Sequence, residues 1–292
     1  MMDSLNKAFL EAGLTFNLAR GEKLYLVVDG SQIEDLALKL YSLEVELNLE
    51  PIYMKAPHDQ LIEVAPYVVH ASKNVRDWFF AQNNPMAGYF IASSHSLERI
   101  GENYRKLIIA ESPYGSRVYV KMAHSECAWV FYSTRTPQFW NDISKVWIPT
   151  RKEWKAERTP NIDFNDRSLK ITDEQWALLG KISWNTTIEK LSQHVFKWFP
   201  TLLENCTDSL LWVERHAATA YGKGFTSECD LLMYMNVIGF LGEDKFLDQK
   251  VYPDIYQLIE IPSHKTPSQR IEAASELAQA YSHQNITQEK QV

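Results

Sequence analysis

The chain has 292 residues, 45% of them hydrophobic and 23% charged, a balance that buries a core and excludes wholesale disorder. Its 30 basic and 37 acidic side chains leave a formal charge of −7, and no Lys/Arg block is long enough to follow a phosphate backbone. Nucleic acid is therefore excluded as the expected main partner. No stretch approaches the ~18 consecutive apolar residues of a membrane helix, so membrane insertion is not expected. Met1-Met2-Asp3-Ser4-Leu5-Asn6-Lys7 lacks the basic start and apolar run of an export signal. Cys127, Cys206 and Cys229 are scattered and odd in number, which suits free thiols in a reducing compartment. The expectation is a cytoplasmic, globular, acidic protein.

Lys23-Leu-Tyr-Leu-Val-Val28, stopped by Asp29-Gly30, reads as a buried strand. Ser31 and Glu34 form a capping-box pattern for a following helix, and Pro51-Ile-Tyr-Met54 reads as the next strand, so residues 23–54 have the outline of a βαβ unit. A helix is expected over Val75–Ala81 and a strand over Gly88–Ala92. A helix capped at Ser94 or Ser96 then runs to about Lys106. Ser112-Pro-Tyr-Gly-Ser116 separates two apolar runs and signals a hairpin between Leu107–Ala110 and Arg117–Met122. A helix over Ser125–Thr134 follows.

The second half is helical in pattern. Thr172-Asp-Glu-Gln175 is a capping box for a helix that must stop before Pro200, Asp208 caps a helix ending at Gly222, and Ser227 caps another ending near Gly242. Thr266-Pro267 opens a last helix through Ala280, with a polar, frayed tail from Ser282. The hinge is expected between Pro149 and Ile171, including the polar run Asn161–Ser168. Residues 1–158 carry 18 basic and 19 acidic side chains and residues 159–292 carry 12 and 18, so the acidity lies in the helical half. The expected architecture is α+β: a mixed α/β lobe with a small sheet over 1–158 and an all-helical lobe over 159–292.

Catalytic templates fail one after another. G-x-S-x-G, G-x-x-x-x-G-K-[ST] and H-E-x-x-H do not occur. Asp29-Gly30-Ser31 stands at a strand end, where α/β enzymes place acids, yet it lacks further glycines for a phosphate and a second acid two residues on. It reads as a turn, and an enzyme acting through Asp29 is the alternative it leaves. His124 and Cys127 could share a helix face but have no second pair to complete a zinc site. His194 and His216 stand alone in helices, and Tyr221-Gly-Lys-Gly224 reads as a connector. No catalytic, cofactor or metal residue is assigned.

Aromatic content is high, with 9 Trp, 14 Tyr and 13 Phe. Trp140, Trp147 and Trp154 fall seven apart, but Pro149 forbids one continuous helix. These rings either pack the junction of the lobes or form an interaction platform with Arg151, Lys152, Lys155 and Arg158. As a platform, the candidate partner-binding residues are Trp140, Trp147, Arg151, Lys152 and Trp154. Trp154, set among charges, is the ring expected to be exposed.

The order of short motifs resembles the type VI secretion effector-adaptor, or effector-chaperone, family. These are Leu24-Tyr-Leu-Val-Val-Asp-Gly30, Ala65-Pro-Tyr-Val-Val69, Gly88-Tyr-Phe-Ile-Ala-Ser-Ser94, Leu97 with Tyr104-Arg105, Pro113-Tyr-Gly115, Thr172-Asp-Glu-Gln-Trp176, Tyr221-Gly222 and Ser227-Glu-Cys-Asp230. Where that family carries Arg-x-aromatic-Asp-Pro-Arg, this chain reads Lys121-Met-Ala-His-Ser-Glu126, so no site is carried across there. The resemblance implies a non-catalytic cytoplasmic adaptor. It would bind a secreted effector protein, shield its apolar surface, and help load it onto the VgrG spike protein. A stable scaffold subunit without chaperoning activity is a further alternative.

Overall fold

The computed structural model describes residues 4–44, 46–164, 168–204 and 206–289. Two compact units emerge from the packing, residues 1–182 and 183–292. The division lies within a helix and later than the expected 158/159. Leu169 and Ile171 are buried in the first core, and the Ile171 N–H donates to the Glu111 carbonyl at 2.9 Å. The first unit is α+β and the second helical, as the residue patterns imply. Of the expected hinge run, Asn165, Asp166 and Arg167 lie outside the described residues.

The first unit contains α1 (Ser4–Glu11), β1 (Lys23–Val28), α2 (Leu36–Tyr41), β2 (Leu49–Pro51), β3 (Tyr67–His70), α3 (Lys73–Gln82), β4 (Gly88–Ser93) and α4 (Leu97–Arg105). It continues through β5 (Ile109–Glu111), β6 (Arg117–Tyr119), α5 (Ser125–Ser133), α6 (Pro137–Trp140), β7 (Lys145–Pro149) and β8 (Trp154–Arg158) to the start of α7 (Asp173–Trp198). Six strands form one sheet in the order β2-β3-β1-β4-β7-β8, each neighbouring pair antiparallel, and β5 and β6 form the expected separate hairpin.

The βαβ expectation is corrected here. β1 and β2 are not neighbours, because β3 inserts between them and pairs antiparallel with both. The expected strand at 51–54 ends at Pro51, and the Ile52 N–H turns to the Pro66 carbonyl at 2.9 Å. Nor does a helix begin at Ser31. The Asp29 carboxylate accepts the Ser31 N–H at 2.9 Å and the Asp29 carbonyl accepts the Gln32 N–H, which makes a turn. Helix α2 starts only after Asp35, whose φ of 51° is left-handed.

β4 is buried along its whole length, so both faces of the sheet are covered. Successive side chains point to opposite faces. Phe90 meets Phe16, Phe79 and Phe80 of the N-terminal segment and α3, whereas Tyr89 joins Tyr104 of α4 and Tyr132 of α5. The three buried tyrosine hydroxyls are mutually satisfied. Tyr104 Oη lies 3.0 Å from those of Tyr89 and Tyr132, and Tyr89 also donates to the Met122 carbonyl at 2.9 Å.

The second unit holds the rest of α7 with α8 (Ser209–Gly222), α9 (Glu228–Leu241), α10 (Pro253–Glu260) and α11 (Pro267–Glu289). α9 buries residues almost all round, from Leu231 and Tyr234 to Val237 and Ile238, and is packed by its neighbours accordingly. The expected caps form. Thr172 and Gln175 bond reciprocally at 3.2 and 3.0 Å, Asp208 accepts the Leu211 N–H at 3.0 Å, and Ser227 and Asp230 close a capping box. α11 runs past Ala280 and the expected frayed start at Ser282, because no Gly or Pro follows to stop it.

Candidate interaction surface

The aromatic stretch is core. Trp140 and Trp147 are fully buried and Trp154 is 6% exposed, so the expected exposure of Trp154 is overturned. The reason is a segment remote in sequence. α1 and the coil after it lie over β7 and β8, with Phe9 edge-on to Trp154 at 5.0 Å and Phe16 edge-on to Trp147 at 5.3 Å. Each indole N–H finds a backbone carbonyl: Trp154 to Leu5 at 3.2 Å, Trp147 to Thr15 at 3.1 Å, and Trp140 to Tyr132 at 3.1 Å. Buried indoles satisfied this way hold the N-terminal segment on the sheet. Arg151 is tied to Glu126 in an ion pair, and of the five candidates Lys152, at the tip of the β7–β8 hairpin, alone is exposed.

The other candidates also occupy structural positions. His124 caps α5, its Nδ1 accepting the Cys127 N–H at 3.4 Å, and burial pushes the Cys127 thiol up to about 12. His194 lies 2.6 Å from the Asn236 amide oxygen, and His216 lies 3.0 Å from Glu243. Lys223 forms an ion pair with Glu260 on α10 at 2.6 Å. Among the described residues no group of three His, Cys, Asp or Glu is arranged to hold a metal ion.

Asp29 is buried at the end of β1, and desolvation pushes its carboxyl above the usual carboxylate range, against the opposing pull of the Ser31 hydrogen bonds and Lys121. A carboxyl raised in the folded state contributes stability that is fully present below its unfolded pKa and lost as pH rises through its folded pKa. Asp29→Asn keeps an oxygen for the Ser31 N–H and removes the buried charge. The variant is expected to melt higher than the parent at pH 7, with the difference shrinking toward pH 4. Thermal melts at the two pH values check this, and a variant that melts lower at pH 7 overturns it.

In the helical unit, exposed apolar side chains stand at the end of α7 and the start of α8; in the first unit, Met54, Leu61, Ile62 and Val64 are exposed as well. Phe199 turns inward against Phe240 at 5.2 Å, and its ring occupies the place a side chain on residue 239 would need: a Cβ added to Gly239 would lie 2.4 Å from it. With Phe199 anchoring this end of the helix, Phe196 and Trp198 remain 72% and 60% exposed. Leu210 and Leu211, in the first turn of α8, are exposed as well. Lys197 Nζ sits 4.7 Å above the Trp198 ring. In the first unit, Tyr114 of the β5–β6 turn is exposed and meets the edge of Trp176 at 6.1 Å. Aromatic side chains are enriched among those that anchor protein partners. A sequence signal for Phe196 existed: it lies one position off the Ile188, Leu191, Val195 stripe.

Residues 24–142, from β1 to the residue pair after α6, match the family model described as Domain of unknown function (DUF4123). Over 273 residues the chain is 48% identical to "Accessory protein VasW" of Vibrio cholerae serotype O1, an alignment covering 92% of each protein. Coverage of that extent reaches well beyond the family model into the helical unit. No solved structure matches the chain.

Proposed function

Because this chain belongs to the type VI secretion effector-adaptor family, we propose that it binds a secreted effector in the cytoplasm, keeps it stable, and helps load it onto the VgrG spike protein. The observation that carries the reading is the 48% identity to an accessory protein along 92% of the chain. A type VI secretion-associated adaptor role follows from it, and the surface chemistry supports the finer statement. Exposed Phe196, Trp198, Leu210 and Leu211 offer apolar area that a partner would bury. An effector segment prone to aggregate when free would be shielded there and released on assembly, since a ligand bound to one state stabilises that state by mass action.

The reading is of a non-catalytic protein, consistent with an Asp29 turned into its own backbone turn. No helix among the described residues is long and apolar enough to cross a membrane. Affinity purification of the full chain from the native cell, with mass spectrometry of what accompanies it, is expected to return an effector and VgrG in stoichiometric amounts. Recovery of neither, under conditions that retain other subunits of the secretion apparatus, would overturn the assignment.

A further inference from the structure

The two edges of the six-stranded sheet differ. At one edge β2 is three residues long and ends in Pro51, and the Arg105 guanidinium pairs with Glu50 and donates to the Pro51 carbonyl at 2.9 Å. That edge is short and obstructed by α4. At the other edge β8 runs for five residues with β7 on one side.

The ladder parity shows what β8 presents outward. The Thr150 N–H donates to the Glu153 carbonyl at 3.0 Å and the Thr159 N–H to the Ser144 carbonyl at 2.9 Å. Hydrogen-bonded pairs therefore fall at 150/153, 148/155, 146/157 and 144/159, and the alternate pairs are non-bonded. Trp154, Ala156 and Arg158 accordingly turn their backbone N–H and C=O groups away from β7. Among the described residues these groups have no hydrogen-bond partner. An open row of this kind is a template for another strand.

We infer that this edge pairs with β8 of a second copy of the chain, antiparallel about a two-fold axis at Ala156, joining two sheets into one. The occupant is argued from the sequence of the strand itself. Reversing Trp154-Lys155-Ala156-Glu157-Arg158 about its centre sets Lys155 opposite the partner's Glu157 and Glu157 opposite the partner's Lys155. Both pairs are attractive, and opposite charges directly across a strand pair stabilise it. The same register makes 156/156 and both 154/158 positions hydrogen-bonded pairs, which uses every outward group of the strand. Ala156 at the axis is small enough to face itself. Trp154 gives the edge rigidity, since its ring is fixed beneath Phe9 and Phe80. The interface is isologous and closed, so it stops at a dimer.

Sedimentation of the full chain over a concentration series tests this independently of which effector or spike protein it binds. The parent is expected to pass from monomer to dimer. Lys155→Glu and Glu157→Lys each turn both attractive pairs into repulsive ones, and each should weaken the dimer by about tenfold or more. An equimolar mixture of the two variants should dimerise again, because each supplies the charge the other lacks. Ala156→Pro, which removes an outward N–H at an edge where proline is tolerated, should leave a folded monomer. A parent that stays monomeric throughout overturns the inference. So does a dimer indifferent to the charge reversals, or a mixture that fails to recover; the mixing result decides the matter even where the proline variant does not fold.

Discussion

Replacing Trp147 by Ala is expected to cost the first unit about 3–5 kcal/mol of folding free energy, the range for truncating a large buried aromatic. The ring is fully buried, stands opposite Phe90 across β4 and β7, and meets Phe16 edge-on at 5.3 Å. Its N–H satisfies the Thr15 carbonyl, and Lys145 Nζ lies 4.6 Å above it. Truncation therefore opens a cavity, orphans a carbonyl and loosens the N-terminal segment together. Trp147→Phe retains most of the area but loses the hydrogen bond, and should cost less. Two units need not unfold as one, so the readout should report on the first unit: amide exchange in β4 and β7 alongside denaturant unfolding. A loss below about 1 kcal/mol would show that the N-terminal segment is not held by this ring.

Phe196→Ala and Trp198→Ala are expected to do the opposite. Each should weaken binding of the co-purifying partner by about 2 kcal/mol or more, some thirtyfold, while shifting folding stability by no more than about 0.5 kcal/mol. Both rings project from the last turn of α7, and its inward anchor, Phe199, is left intact in both variants. Removing Trp198 also frees Lys197 from the ring face, a small loss for an exposed pair. Affinity and melting temperature measured on the same two variants separate the possibilities. Unchanged affinity with an unchanged melting temperature would remove the end of α7 from the interface and turn attention to exposed side chains of the first unit, Tyr114, Tyr119 and Tyr41 among them.

Features governed by chemistry within a few residues were legible in the sequence. The caps at Ser96, Asp208 and Ser227, and the reciprocal pair Thr172–Gln175, depend on one side-chain oxygen reaching an N–H three positions on. The β5–β6 hairpin follows from its Pro-Tyr-Gly turn, and β1 and β4 from continuous apolar runs. The same local logic misplaced a helix at Ser31, because the Asp29 carboxylate competes for the N–H that a helix start would leave free. Family membership was legible through the order of short motifs, since it needs only that sequence segments recur.

The order of the strands and the fate of the tryptophans were settled only by tertiary structure. A period of two assigns side chains to alternate faces but carries no information about which strand lies alongside, so β3 could enter between β1 and β2 unannounced. Charged neighbours made Trp154 look exposed, yet β8 alternates, and its charged residues turn one way or lie near the strand ends while the ring turns inward. What covers Trp147 is the segment around Thr15, 132 residues away along the chain. Burial is a property of what packs above a residue, and contacts of that sequence separation leave no local trace.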